Sequence, residues 1–384
     1  MSQSITYYFR YIAKHIYWLL IKLLTLLITL GSYYAYAEYT IVILLIQIFI
    51  KSMCSRQFYI DCVDSIYQFY YRYACLLIDY WANIKITLYG DIELVDKLQA
   101  NNVLALCNHQ CGVDFFNVHY LLNRFGKLSR VRHVTTEPFQ YIPLAGHSFF
   151  MHSCIYLKRG KGDKFDPTQM IKTLTYLETN NIPSWIVLYP EGTFYDKVYT
   201  DVLADNRRYM NKIGVQPFKH LLMPRSRALK TIHKQFGHRF DAVLDITIVY
   251  PNTRAGNGLR RSTPSLIEYF SGYHNLVDIH VRLIDVRQVP KAEEELDNWL
   301  YELYRQKDGQ LSQYYEQNRS ISEIFDCPPG QEYRSDPRTT LPSLLGTSIV
   351  IGFLIPNPLY IYNIIVAIVL IITLIEVFII LTKC

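Results

Sequence analysis

The stretch Asn108-His109-Gln110-Cys111-Gly112-Val113-Asp114 holds the strongest chemical signal in the chain. An apolar run, VLALC, leads into it, so a strand is expected to end at Cys107 and a helix to begin near Gly112 or Val113. Asp114 then falls in the first helical turn, where its carboxylate can reach back to one imidazole nitrogen of His109. Such a contact fixes the tautomer and leaves the other nitrogen free to act as a base. No serine or cysteine nucleophile accompanies the pair, so the substrate is expected to supply the hydroxyl. Taken alone, the spacing is a weak signal, and a helix-capping aspartate with a surface histidine is the reading it favours.

A second signal, Tyr189-Pro190-Glu191-Gly192-Thr193, directly follows the apolar run Trp185–Leu188. It places an acid and a flexible backbone at the end of a strand. In open α/β sheets that rim is where ligands bind. Gly192 permits close approach, and its N–H together with that of Thr193 could face a phosphate. An ordinary turn is the plainer reading.

The elements needed to position both motifs are visible around them. Short β-branched runs recur at 83–90, 103–109, 129–136, 153–159, 184–190, 243–250 and 277–286, separated by helix-length intervals. This pattern predicts an α/β fold with a mainly parallel, mixed sheet and flanking helices. Residues 291–318 are charged and helical in pattern, which predicts a surface helix.

Both ends of the chain are apolar. Residues 16–30 and 41–50 flank a short aromatic link, and each is short against the ~20 residues a full crossing needs. One long spanning helix and a hairpin dipping into one leaflet are both open, the hairpin being the expectation. Residues 359–382 would make a helix of about 36 Å, long enough to span the bilayer, and 344–355 form a second apolar stretch before Pro356-Asn357-Pro358. The expected organisation is an N-terminal membrane-embedded pair (1–59), an α/β domain (60–290), a helical connector (291–342) and a C-terminal transmembrane anchor (343–384).

Composition agrees with a catalytic domain carrying a few membrane segments. Hydrophobic residues make up 50% and charged residues 19%, the latter below the ~25% of soluble domains. The balance of 39 basic and 33 acidic residues is mildly basic, too little to imply nucleic acid and suited to anionic headgroups or phosphorylated substrates. The 8 cysteines are scattered without C-x-x-C pairs, so reduced thiols are expected rather than a disulfide framework. His109, Asp114 and His119, like His147 and His152, are spaced in a way that lines no single helix face, so no metal is expected. His133, His147 and His152 read as structural or surface residues.

Taken together, the two motifs resemble the glycerolipid acyltransferases, specifically the lysophosphatidic acid acyltransferase family. That family's first block, N-H-x-x-x-x-D, is matched by Asn108, His109 and Asp114, and its F/Y-P-E-G-T block by Tyr189 to Thr193. A block of aromatics ending in basic residues is matched from Gly146-His147-Ser148-Phe149-Phe150 to Lys158-Arg159, and a final block by Leu221-Leu222-Met223-Pro224-Arg225. The resemblance runs over about residues 83–290 and is nearest to the epsilon-type and lysocardiolipin acyltransferase branch. One position departs: many relatives carry Arg after E-G-T, where this chain has Phe194. Lys158, Arg159 and Arg225 are the nearest candidates to replace that charge.

The resemblance implies that His109 is the general base and Asp114 its orienting acid. It implies acceptor binding by Asn108, Lys158, Arg159, Glu191, Gly192, Thr193, Pro224 and Arg225, with Glu191 organising the loop. It further implies acyl-CoA as co-substrate without a resident cofactor, lysophosphatidic acid or another lysophospholipid as acceptor, and a bilayer as partner. Backbone N–H groups at the helix start would hold the oxyanion. An integral membrane protein of the endoplasmic reticulum or mitochondrion is the corresponding location.

Overall fold

The computed structural model describes Ile16, Leu19, Leu20 and Leu23 and residues 52–142, 145–159, 165–255, 260–340 and 342. The proposed membrane segments lie outside the described residues, those four near the start excepted. Among the described residues, no helix is long and apolar enough to cross a membrane.

All of the β-branched runs form strands. They are β1 (Lys85–Gly90), β2 (Val103–Cys107), β3 (Val131–Thr136), β4 (Ile155–Arg159), β6 (Trp185–Leu188), β7 (Ala242–Val249) and β8 (Leu276–Ile284). Two short strands, β5 (Phe165–Asp166) and β9 (Gln331–Tyr333), lie outside every run that the sequence pattern predicts. They are too short to show a period of two and lie at the edges of the nine-stranded sheet, whose order is β5-β4-β3-β6-β2-β7-β8-β1-β9. The central strands β4, β3, β6, β2 and β7 run parallel, whereas β7 and β8 are antiparallel. The sheet is therefore mixed and mainly parallel, as the sequence pattern predicts.

β2 is the middle of the molecule, and every one of its side chains is buried. Alternate residues serve opposite faces, as a pleated strand requires. Val103, Ala105 and Cys107 join the core beneath α1 (Arg56–Leu76) and α2 (Asp114–Arg124). Phe149 of the short helix α3 (Ala145–Met151) belongs to the same core. Leu104 and Leu106 join the opposite core, under α4 (Thr168–Thr179), α5 (Ser226–Phe236) and α6 (Glu293–Glu316). Ser55 starts α1 by accepting the N–H of Phe58 at 3.2 Å, a standard N-cap.

The helix α6 differs from its expected role. Its charged residues suggest a surface helix, but Leu296, Leu300, Tyr304 and Leu311 form a buried stripe on its inner face. Each such leucine contributes roughly 1.5–3 kcal/mol by burial. The stripe is interrupted by Lys307, which hides it from a periodicity reading. That lysine is itself buried and pairs with Asp245 of β7 at 2.6 Å while donating to the Ile246 carbonyl at 2.8 Å.

Candidate active site

The motif residues converge where β2 ends between β6 and β7. Asn108 extends the sheet with its side chain: its Nδ2 donates to the Ile248 carbonyl at 2.9 Å and its Oδ1 accepts the Ile248 N–H at 2.8 Å. Its amide thus serves the backbone, and it is fully buried. That strand-like pairing delivers His109 to the rim with a defined direction.

His109 Nδ1 lies 2.8 Å from Asp114 Oδ2, and the imidazole side chain is 22% exposed. Asp114 opens α2 and is fully buried. Its Oδ2 also accepts the N–H groups of Gln110 at 2.5 Å and Cys111 at 2.9 Å. Its Oδ1 accepts the hydroxyl of Tyr250 at 2.6 Å. The carboxylate therefore makes the dyad contact and not a helix cap: Val113 is the N-cap residue and has no side-chain bond, and the N–H groups that Asp114 accepts lie in the turn before the helix. The backbone donors at 110 and 111 are occupied by Asp114, which removes them as oxyanion donors.

Glu191 is buried, and no cation among the described residues pairs with it directly. Its Oε1 accepts the His109 N–H at 2.7 Å and its Oε2 the Leu222 N–H at 2.9 Å. One carboxyl group thus ties the first block to the last. Burial pushes its pKa up to about 8, against the pull of those two N–H groups and of Lys307. Block positions are further locked by the Tyr195 N–H on the His109 carbonyl at 2.8 Å and the Arg225 N–H on the Pro190 carbonyl at 2.7 Å.

Gly192 sits at φ +73°, a conformation that favours glycine, and is exposed. A β-carbon there would stand 3.5 Å from Cδ of Arg225, so the arginine lies over the glycine turn. Arg225 is exposed, Thr193 half-buried and Pro224 buried. Phe194, in the place of the family arginine, turns its ring edge to His109 at 5.5 Å, and Tyr189 covers the same imidazole at 4.4 Å.

Lys158 is not part of this cluster. It lies on β4, three strands from β2, roughly 14 Å along the rim, and faces Glu137 at 3.9 Å. Arg159 ends the same strand, and its side chain is outside the described residues. Cys107 and Cys111 are buried, and burial holds both thiols well above their usual range, which disfavours a thiolate. The described cysteines are all free.

Several supporting residues carried no sequence signal. Arg260 reaches Gln110 and the His220 carbonyl. Thr263 donates to the Gln110 carbonyl or to Asp196, at 3.0 and 2.7 Å. From α6, the Tyr304 hydroxyl donates to the Cys107 carbonyl at 2.9 Å, and Asp308 accepts the N–H of His220 at 2.7 Å. The connector helix therefore braces both the strand leading to His109 and the loop leading to Leu222.

A partly exposed histidine on a buried aspartate, at the end of a central strand of an α/β sheet and beside a Glu-Gly-Thr turn, is an arrangement suited to proton transfer, and sequence comparison gives the class as acyltransferase. The family described as Acyltransferase matches residues 91–248, and the one described as Acyltransferase C-terminus matches 268–346. The 1-acyl-sn-glycerol-3-phosphate acyltransferase epsilon of Mus musculus is 30% identical, over 73% of this chain and 76% of that protein. The 1-acyl-sn-glycerol-3-phosphate acyltransferase 3 of Arabidopsis thaliana is 24% identical, over 62% of this chain and 60% of that protein. The delta protein of Homo sapiens is 23% identical, over 70% of this chain and 65% of that protein. The chain spans less than two thirds of the latter two relatives. This chain belongs to the 1-acyl-sn-glycerol-3-phosphate acyltransferase family, on its epsilon-like side, and its enzyme class is that of the 1-acylglycerol-3-phosphate O-acyltransferases.

Proposed function

We propose that the protein transfers an acyl group from acyl-CoA to the sn-2 hydroxyl of lysophosphatidic acid, giving phosphatidic acid. The observation that carries this reading is the His109–Asp114 contact of 2.8 Å at the strand end, with the imidazole partly open to solvent. The free nitrogen of His109 takes the hydroxyl proton, and the alkoxide attacks the thioester carbonyl. The carbon–sulfur bond breaks as the tetrahedral intermediate collapses, and CoA leaves with the proton returned by the imidazolium. Asp114 stabilises the imidazolium throughout. Arg225, lying over Gly192, is the cation that meets the acceptor phosphate, with Thr193 beside it. Lys158 and Arg159, farther along the rim, suit the phosphates of CoA. No resident cofactor takes part. The apolar termini hold the domain at a membrane, that of the endoplasmic reticulum or the mitochondrion.

Phe194 motivates one second reading, a remodelling acyltransferase acting on lysocardiolipin or another lysophospholipid. A single experiment tests both. Purified protein in detergent or liposomes receives oleoyl-CoA and one of lysophosphatidic acid, lysophosphatidylglycerol, lysocardiolipin or lysophosphatidylcholine, and CoA release is followed. Turnover on lysophosphatidic acid that disappears in His109→Ala is the expected result. Faster turnover on another acceptor selects the remodelling reading. Full activity in a folded His109→Ala protein removes the assignment of the base.

A further inference from the structure

We infer that Tyr250, held in place by Asn117 and Tyr269, is a positioning residue that sets the tautomer of His109 through Asp114. The inference rests on the reading of His109 as the base and goes beyond it, since none of these three residues lies in a motif block.

Four side chains form one continuous line behind the imidazole. The Tyr269 hydroxyl donates to Asn117 Oδ1 at 2.5 Å. Asn117 Nδ2 donates to the Tyr250 oxygen at 2.9 Å. The Tyr250 hydroxyl donates to Asp114 Oδ1 at 2.6 Å, and Asp114 Oδ2 meets His109 Nδ1 at 2.8 Å. Asp114, Asn117, Tyr250 and Tyr269 are all fully buried, so no water competes for these bonds.

The line has a single direction. An amide NH2 group can only donate, so the phenolic oxygen of Tyr250 accepts from Asn117 and its proton goes to Asp114. Asp114 also receives the N–H groups of Gln110 and Cys111. Surrounded by donors, the carboxylate stays an acceptor. The proton shared with His109 therefore belongs to Nδ1, and Nε2 keeps the lone pair that a base needs. In a buried site of low dielectric, such a charge-assisted bond is strong, and its loss is felt at the next group.

The elements supplying the line are far apart in sequence. Asp114 and Asn117 are one turn apart on α2, Tyr250 stands just past β7, and Tyr269 lies in the short helix Leu266–Phe270. Tyr250 and Tyr269 both follow the segment matched by the Acyltransferase family, and Tyr269 lies in the segment matched by its C-terminal companion. The latter segment thus reaches the dyad through one hydroxyl. Among the described residues, the other titratable groups facing the dyad are His133 from β3, Tyr189 and Glu191 from the turn after β6, Cys107 at the end of β2 and Cys111 beside Asp114. All of them stay in place when only the Tyr250 hydroxyl is removed.

The test uses the full chain in detergent, with oleoyl-CoA and lysophosphatidic acid, comparing wild type with Tyr250→Phe, Tyr269→Phe and His109→Ala. Loss of one hydrogen bond to a charged group should lower kcat by about tenfold in Tyr250→Phe, with KM for both substrates unchanged. Without this donor the carboxylate binds the His109 proton more tightly, so the acid limb of the kcat/KM profile should move to higher pH. Tyr269→Phe should move it the same way by less. A folded Tyr250→Phe protein with an unmoved acid limb overturns the proposal, whether kcat falls or not, because a merely structural role would lower kcat alone. Where Tyr250→Phe loses its thermal transition, Tyr269→Phe decides by the same criterion. Activity surviving in His109→Ala would instead strike the reading of the base.

Discussion

His109 and His133 are near enough for the charge of one to be felt by the other, yet their surroundings are opposite. His109 keeps one nitrogen on a carboxylate and part of its ring in solvent. His133 is 2% exposed, both of its nitrogens lack partners among the described residues, and its ring stacks on Phe149 at 5.1 Å. Two further imidazoles share that buried aromatic region. His119 stacks on Tyr71 at 3.7 Å with its Nε2 on the Tyr67 hydroxyl at 2.6 Å, and His152 stacks on Tyr67 at 3.6 Å. Burial drives the pKa of His133 down to about 3 and of His152 to about 4, and holds His119 well below its usual value. The contrast shows what makes an imidazole fit for proton transfer. It needs an acid to stabilise its cation and an open side for substrate, and only His109 of these four has both.

The most damaging way to break the contrast is Asp114→Asn. The amide can no longer accept from His109, Gln110 and Cys111 together, and the tautomer preference is lost. A fall in kcat of about 10³- to 10⁴-fold is expected, by analogy with other orienting aspartates. Steady-state CoA release from folded protein checks it, and a loss of under tenfold would make the dyad incidental.

A smaller effect is expected at the rim. Arg225→Ala should raise KM for lysophosphatidic acid by about tenfold or more, the worth of one charge-assisted contact. Lys158→Ala should leave that KM nearly unchanged, since Lys158 stands three strands away. Equal effects on acceptor KM would show that the glycine turn is not the phosphate site.

The mildest change sharpens the comparison from the other side. His133, His152 and His119 are neutral in the fold, whereas an unfolded chain protonates its histidines near pH 6.5. Their contribution to stability is whole above that pH. It is lost as pH falls from about 6.5 toward 4, because the unfolded chain then binds protons that the folded one refuses. His133→Phe should keep activity close to wild type and make the fall of the thermal midpoint between pH 7 and pH 4.5 shallower. An unchanged slope would mean that His133 is already charged or solvated in the fold.

Much of the site is legible locally. The strand-ending run, the His-x-x-x-x-Asp spacing and the Pro-Glu-Gly-Thr turn each act within a few residues, and each forms the element its pattern predicts. The edge strands β5 and β9 escape notice because two or three residues cannot display alternation. The inner face of α6 escapes notice because Lys307 and Asp308 break its apolar stripe, and both are buried for reasons that lie on other elements.

By itself, the sequence determined the seven longer strands of the sheet, the pairing of His109 with Asp114 and the family to which the chain belongs. These depend on short-range periodicity and on contacts closed within one turn. Tertiary structure decided which distant groups complete the site. Glu191 reaches back 82 positions to the His109 N–H, Tyr250 reaches 136 positions to Asp114 and Tyr304 reaches 197 positions to the Cys107 carbonyl. Those contacts exist because β6, β2 and β7 are neighbours in the sheet although the chain visits them far apart. Strand order follows from burying both faces of β2 at once, a requirement that acts on the whole fold and leaves no local pattern in the sequence.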